Sequence, residues 1–70
     1  MDIQSVTPRE LQVIELLIEG KINKIIAKEL GISEGTVKNH LWNIMRKFEC
    51  DTRLQVALKY SYLKQAGANI

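Results

Sequence analysis

Cysteine is nearly absent from this sequence. Cys50 is the only one among 70 residues, so the chain cannot form an intramolecular disulfide. A lone thiol is typical of a reducing compartment, and we expect a cytoplasmic protein in which Cys50 is a small buried hydrophobic residue. A domain of this length buries only about 60% of the surface that its unfolded chain exposes, so a second copy or another domain would add useful burial.

Long apolar runs are absent as well. The sequence has no stretch of about 18 apolar residues and no signal peptide with a basic start, so we expect neither a membrane-spanning nor a secreted chain. The 46% apolar content argues against disorder. Because internal repeats and strand-like alternation are also missing, the sequence predicts one small all-α domain.

Constellations that carry catalysis or bind metals are missing too. The sequence shows no Cys/His cluster with zinc spacing, no justified Ser-His-Asp or Cys-His arrangement and no glycine-rich phosphate loop. The single histidine, His40, is better explained as a packed, hydrogen-bonded residue than as a ligand of DNA or metal. We therefore expect no enzymatic activity, no cofactor and no metal.

Helix signals divide the chain into four helices. Thr7 to Glu10 predicts a capping box with Pro8 at the first helical position, and Gly20 follows the end of helix 1 near Glu19. The expected core stripe of this helix is Leu11, Ile14, Leu17 and Ile18, widened by Val13 and Leu16. Helix 2 spans about Asn23–Leu30 with Asn23 as the expected N-cap. Gly31 ends it, Ile32 packs back as an apolar plug, and Ser33 caps a third helix over 34–48.

Helix 3 is predicted to have two faces of opposite chemistry. One is apolar and consists of Val37, Leu41, Ile44, Met45 and Phe48; the other presents Gly35, Asn39, Trp42 and Arg46, with Lys38 and Asn43 at its edges. No Asp or Glu occurs from Gly35 to Phe48. The segment from Gly20 to Phe48 has a net charge of +4, whereas the rest of the chain has −2. A helix-turn-helix unit over about 23–48 with an acid-free polar face predicts a DNA recognition helix.

Helix 4, over about Arg53–Ala66, is predicted to start with a second capping box between Thr52 and Gln55. Its apolar residues form two stripes. Val56, Ala57, Tyr60 and Leu63 suit packing on the domain, and the opposite stripe is Leu54, Leu58 and Tyr62. Docking needs only one stripe, so the second predicts a homodimer through paired copies of helix 4. The alternative is that these are tolerated surface residues.

Several motifs resemble, in order and spacing, the LuxR/FixJ-type (GerE-like) DNA-binding domain of bacterial transcriptional regulators. They are Thr7-Pro8-Arg9-Glu10, Gly20, Asn23-Lys24, Ile26-Ala27, Leu30-Gly31-Ile32-Ser33, Thr36-Val37-Lys38-Asn39-His40 and Arg53. The resemblance implies a four-helix domain of the winged-helix-like superfamily, without a wing. It also implies helix 3 in the major groove and, commonly, dimerisation through helix 4. We expect a lead-in over 1–6, the domain over 7–66 and a tail over 67–70.

The resemblance also implies roles for individual residues. Base-reading positions are occupied by Lys38, Asn39 and Trp42, and phosphate-contacting positions by Asn23, Lys24, Ser33, Thr36 and Arg46. The implied partner is double-stranded DNA with a pseudo-palindromic operator, and RNA polymerase is a further candidate. Family members usually carry a receiver or ligand-sensing domain, as in response regulators. Met1 either starts a stand-alone regulator or marks the domain of a longer protein.

The sequence departs from the family pattern at several positions. Ile22 replaces a small hydroxyl residue and Ile25 an acidic one, while Glu49, Cys50 and Thr52 stand where glycine, valine and asparagine are frequent. These changes concern turns and the surface of helix 2. A second function also fits the same fold, namely a helical interaction module that sequesters another regulator or a polymerase subunit through helix 4. Such a module would not need an acid-free helix 3.

Overall fold

The computed structural model describes residues 5–67, so the first four residues of the predicted lead-in and residues 68–70 of the predicted tail lie outside the described residues. Four helices follow in order: α1 (Pro8–Ile18), α2 (Asn23–Leu30), α3 (Glu34–Lys47) and α4 (Arg53–Gln65). No strand occurs between residues 5 and 67, which confirms the all-α prediction. Within that same part of the chain, none of the helices has the length and apolar character needed to cross a membrane.

Side-chain caps define three of the four helix starts. The Thr7 hydroxyl accepts from the Glu10 amide at 3.1 Å while the Glu10 carboxylate accepts from the Thr7 amide at 2.9 Å. Thr52 and Gln55 form the second predicted capping box, and Ser33 caps α3. These starts were predicted correctly, because each pairs a short polar side chain with free amides of the first turn.

The predicted cap of α2 was wrong. Ile22, with an extended backbone, is the N-cap, and it makes no side-chain bond to the first turn. Asn23 is already helical and begins α2. Its amide side chain is engaged elsewhere, in a bond from Arg53 across the domain.

The core forms where α3 packs against the other three helices. Its fully buried large side chains come from all four helices and from the cap of α3: Phe48, Ile14, Ile26, Ile44, Val13, Val37 and Val56. Ile18, which the sequence analysis assigned to the core, is 39% exposed, because α1 ends at this residue and the chain turns away. Ile32 packs against the core as predicted, and Cys50 does so while remaining only partly buried.

A partly buried ion pair connects the start of α1 to the end of α3. The Lys47 ammonium lies 2.7 Å from the Glu10 carboxylate and donates a second bond of 2.7 Å to the Ser5 carbonyl. Burial by itself raises the pKa of Glu10, but the bonds from Lys47 and Thr7 and the charge of Lys47 outweigh it, so the net pKa is lowered. Glu10 is therefore ionised at neutral pH. This ion pair, here called the clamp, links the first turn of α1 to the last turn of α3.

α4 is joined to α1 by Tyr60. Its hydroxyl donates to the Glu15 carboxylate at 2.9 Å, and its ring is buried. Burial, then the Glu15 hydrogen bond and charge, raise the pKa of Tyr60, so the hydroxyl stays protonated and keeps donating. The opposite side of α4 is thereby left to the surface.

Candidate nucleic-acid interface

The two faces of α3 are separated as the sequence predicted. Val37, Leu41 and Ile44 are buried in the core, and Met45 packs against it. Lys38, Asn39, Trp42 and Arg46 are exposed on the opposite side, as is Gly35. A methyl group added at Gly35 would meet only the Ser33 hydroxyl, at 3.8 Å, so this end of the helix surface is open.

The exposed face contains a small cluster that the sequence analysis did not predict. The Arg46 guanidinium carbon lies 5.2 Å from the centre of the Trp42 ring, and Arg46 donates a 3.2 Å bond to the Asn43 side chain. Trp42 is 63% exposed beneath it. Stacking occupies the face of a guanidinium and leaves N–H groups at its edge for an anion. The i, i+4 spacing of Trp42 and Arg46 is the feature of the sequence from which this contact could have been predicted.

The N-terminus of α3 holds two of the predicted phosphate-contacting residues. The Thr36 amide donates to the Ser33 hydroxyl at 3.0 Å, and the two hydroxyls are 2.9 Å apart. Ser33 and Thr36 are therefore hydrogen-bonded to each other. One hydroxyl proton of the pair is used between them, and the other can be donated outward to an anion.

The N-terminus of α2 lies beside a groove that reaches the polar face of α3. The groove, of about 350 Å³, is lined in part by Asn23, Lys38, Trp42 and Arg53. Lys24 is exposed in the first turn of α2, next to Asn23. Two predicted base-reading residues and a predicted phosphate-contacting residue thus share one concave surface.

Helix α4 carries an exposed apolar stripe. Leu54, Leu58 and Tyr62 are 66%, 63% and 69% exposed, whereas Val56 and Tyr60 of the same helix are buried. The predicted division of α4 into two apolar sides is therefore present. Leu58 and Tyr62 also line an open groove of about 440 Å³ together with Glu49 and Asp51.

Comparison with known protein families identifies the domain. The pattern of the family described as "Bacterial regulatory proteins, luxR family" matches residues 4–60, which is most of the chain. The chain belongs to the LuxR family. Members of this family are DNA-binding transcriptional regulators, and the chain carries their helix-turn-helix domain.

Individual LuxR-family relatives match over most of the chain but differ in length. The nitrate/nitrite response regulator protein NarP of Escherichia coli (strain K12) is 47% identical over 62 residues, covering 89% of this chain and 28% of NarP. The transcriptional regulatory protein LiaR of Bacillus subtilis (strain 168) is 46% identical over 55 residues, 79% of this chain and 26% of LiaR. The spore germination protein GerE of Bacillus subtilis (strain 168) is 47% identical over 53 residues, 76% of this chain and 72% of GerE. The chain thus spans about a quarter of NarP and LiaR.

Two residues of this LuxR-family domain, Lys47 and Arg53, make long-range contacts that the sequence did not predict. Lys47 forms the clamp to Glu10, and Arg53 bonds to Asn23 and to the Lys21 carbonyl. These contacts join residues at least 30 positions apart, so a short sequence window cannot predict them. Between residues 5 and 67, no group of three or more His, Cys, Asp and Glu side chains is arranged to bind a metal ion.

Proposed function

We propose that this LuxR-family domain binds double-stranded DNA sequence-specifically as a transcriptional regulator, with α3 in the major groove. The observation that carries the proposal is the exposed side of α3, where Lys38, Asn39, Trp42 and Arg46 stand clear of the protein and no acid intervenes. An α-helix fits the major groove, and such donors match the acceptors on base edges and phosphates. A DNA partner also supports a cytoplasmic location.

The roles divide by position on the surface. Asn39 and Trp42 on the polar face of α3, and Lys38 at its edge, are proposed to read bases, with the Trp42 indole packed on a thymine methyl or a sugar. The remaining polar residues are proposed to contact phosphates and to fix the register of the helix. They are Asn23, Lys24, Ser33, Thr36 and Arg46.

A homodimer through α4 is proposed to bind a pseudo-palindromic site. The support is the exposed stripe of Leu54, Leu58 and Tyr62, since isologous pairing of two such helices would cover it. A two-fold pair presents its recognition helices to half-sites about 10 base pairs apart. RNA polymerase is proposed as a further partner of the DNA-bound regulator.

The same stripe favours a second candidate function. An interaction module could use Leu54, Leu58 and Tyr62 to sequester another regulator or a polymerase subunit, without contacting DNA. This candidate gives no reason for the basic, acid-free side of α3. We therefore prefer the DNA-binding function, with the interaction module as the alternative result of its test.

Alanine substitutions on the two classes of residue test the proposal. A cognate site is first selected from a pool of random duplexes, and binding is then compared on this site and on a scrambled one. Lys38→Ala is expected to lose about 1–3 kcal/mol on the cognate site and to relax the base preference at one position. Lys24→Ala is expected to weaken both duplexes by a similar factor, because phosphates are common to both.

Two results would contradict this division. If Lys38→Ala and Lys24→Ala behaved alike on the two duplexes, the assignment of base and phosphate contacts would be wrong. If the pool yielded no enriched sequence while the protein captured a polymerase subunit, the interaction module would replace the DNA-binding function.

A further inference from the structure

We infer that Arg53 is a positioning residue for DNA binding, which orients the side chain of Asn23 toward a backbone phosphate. The inference deepens the proposed function and rests on it. Arg53 is the first residue of α4, and Asn23 is the first residue of α2, so the contact joins two helix starts that are 30 positions apart.

Hydrogen bonds fix the guanidinium of Arg53 at two points. Its Nη1 donates to Oδ1 of Asn23 at 2.7 Å, and its Nη2 donates to the Lys21 carbonyl at 3.0 Å. Both Arg53 and Asn23 are half-buried. A planar guanidinium with two neighbouring acceptors has little freedom to rotate, so Asn23 is bonded to a rigid group.

This arrangement determines which end of the Asn23 amide is available. Guanidinium groups donate only, so the Asn23 atom that faces Arg53 must be the oxygen. The Nδ2 group, with two N–H donors, then points away from Arg53. A donor pair of this kind suits an acceptor-only ligand such as a phosphate, whereas a free asparagine could present either end.

The surroundings of Asn23 favour a phosphate of the duplex as that ligand. Ile22, the N-cap of α2, supplies no side-chain bond to the first turn, where the helix dipole attracts an anion. Lys24 is exposed beside Asn23, and Lys38 lines the same groove as Asn23 and Arg53. Ile22 has no polar side-chain atom, so in the first turn of α2 the uncharged side-chain donor is that of Asn23.

A double-mutant cycle with a salt titration tests the inference in the full chain. Arg53→Met, Asn23→Ala and the double variant are measured on the selected cognate duplex, with thermal unfolding recorded for each. Each single variant is expected to weaken binding about tenfold, and the double variant no more than Asn23→Ala alone, because Arg53 acts through Asn23. The salt slope of Arg53→Met is expected to equal that of the wild type, since no charged phosphate contact is removed.

Other outcomes overturn the inference. Additive losses, or an unchanged affinity of Arg53→Met, would show that Arg53 does not act through Asn23. A salt slope shallower by about 0.9 per bound copy, or about 1.8 for the proposed homodimer, would show that Arg53 contacts a phosphate itself. Arg53→Lys, which keeps the charge and reaches one acceptor, replaces Arg53→Met in the cycle if the latter is unfolded at the assay temperature. Absence of duplex binding by the wild type would instead overturn the proposed function.

Discussion

At the scale of the residue, the backbone of Glu49 is under strain. Its φ is 55°, the single positive value at a non-glycine residue among residues 5–67. A side chain in this left-handed region costs roughly 1–2 kcal/mol relative to glycine. The turn after α3 nevertheless closes, with the Cys50 amide donating to the Met45 carbonyl at 2.8 Å. Glycine, which the family pattern favours here, would adopt this φ without that cost.

Replacing this residue should stabilise the domain. Glu49→Gly is expected to raise the free energy of unfolding by roughly 0.5–1 kcal/mol, because relief of the strain exceeds the added freedom of glycine in the unfolded chain. Urea unfolding followed by circular dichroism measures the change. Glu49→Ala is the matched control, since it also removes the side chain but keeps the left-handed strain. Equal stability of the two variants would contradict the strain.

Residue-level predictions from the sequence succeeded where a cap or a turn is local. Thr7, Ser33 and Thr52 each bond to an amide three residues along, and a short window contains all that is needed. Asn23 is the first helical residue and not the cap, and its side chain accepts a bond from Arg53, 30 positions away. Propensity alone cannot report such competition.

At the scale of the element, α4 serves two surfaces. Val56 and Tyr60 attach it to the domain, and Leu54, Leu58 and Tyr62 remain outside. The spacing of the apolar residues was sufficient to predict both sides, because it depends only on helical geometry. The proposed packing of the outer stripe against a second copy is a contact between molecules, which the spacing of residues within one helix does not predict.

A charge placed in the stripe tests the proposed pairing of α4. Leu58→Asp is expected to lower affinity for the cognate duplex and to shift the protein toward the monomer, because pairing would bury an unpaired carboxylate. Analytical ultracentrifugation and duplex titration measure the two effects, and far-ultraviolet circular dichroism checks that the monomer stays helical. Gln12→Asp, at an exposed site on α1, controls for the added negative charge. An unchanged binding curve for Leu58→Asp would exclude α4 from the dimer.

At the scale of the whole molecule, fewer positive charges are available to an anionic partner than the sequence alone indicates. Lys47 contributes to the +4 of the segment from Gly20 to Phe48, yet it is occupied by Glu10 and the Ser5 carbonyl. Within this segment the exposed cations are Lys24 and Lys28 on α2 and Lys38 and Arg46 on α3. The sequence predicted which segment carries the positive charge. It did not predict that Lys47 is engaged by Glu10, because that contact depends on tertiary packing.

A salt titration of duplex binding by the wild-type chain tests the central claim, that the polar side of α3 binds DNA. With Lys24 and Arg46 of each copy neutralising a phosphate, a homodimer is expected to show a slope of about −3.6 for the logarithm of affinity against the logarithm of salt concentration. Binding should therefore be tight at low salt and fall steeply as salt is added. A slope near zero, or no detectable binding at about 50 mM salt while a protein partner binds, would contradict the claim.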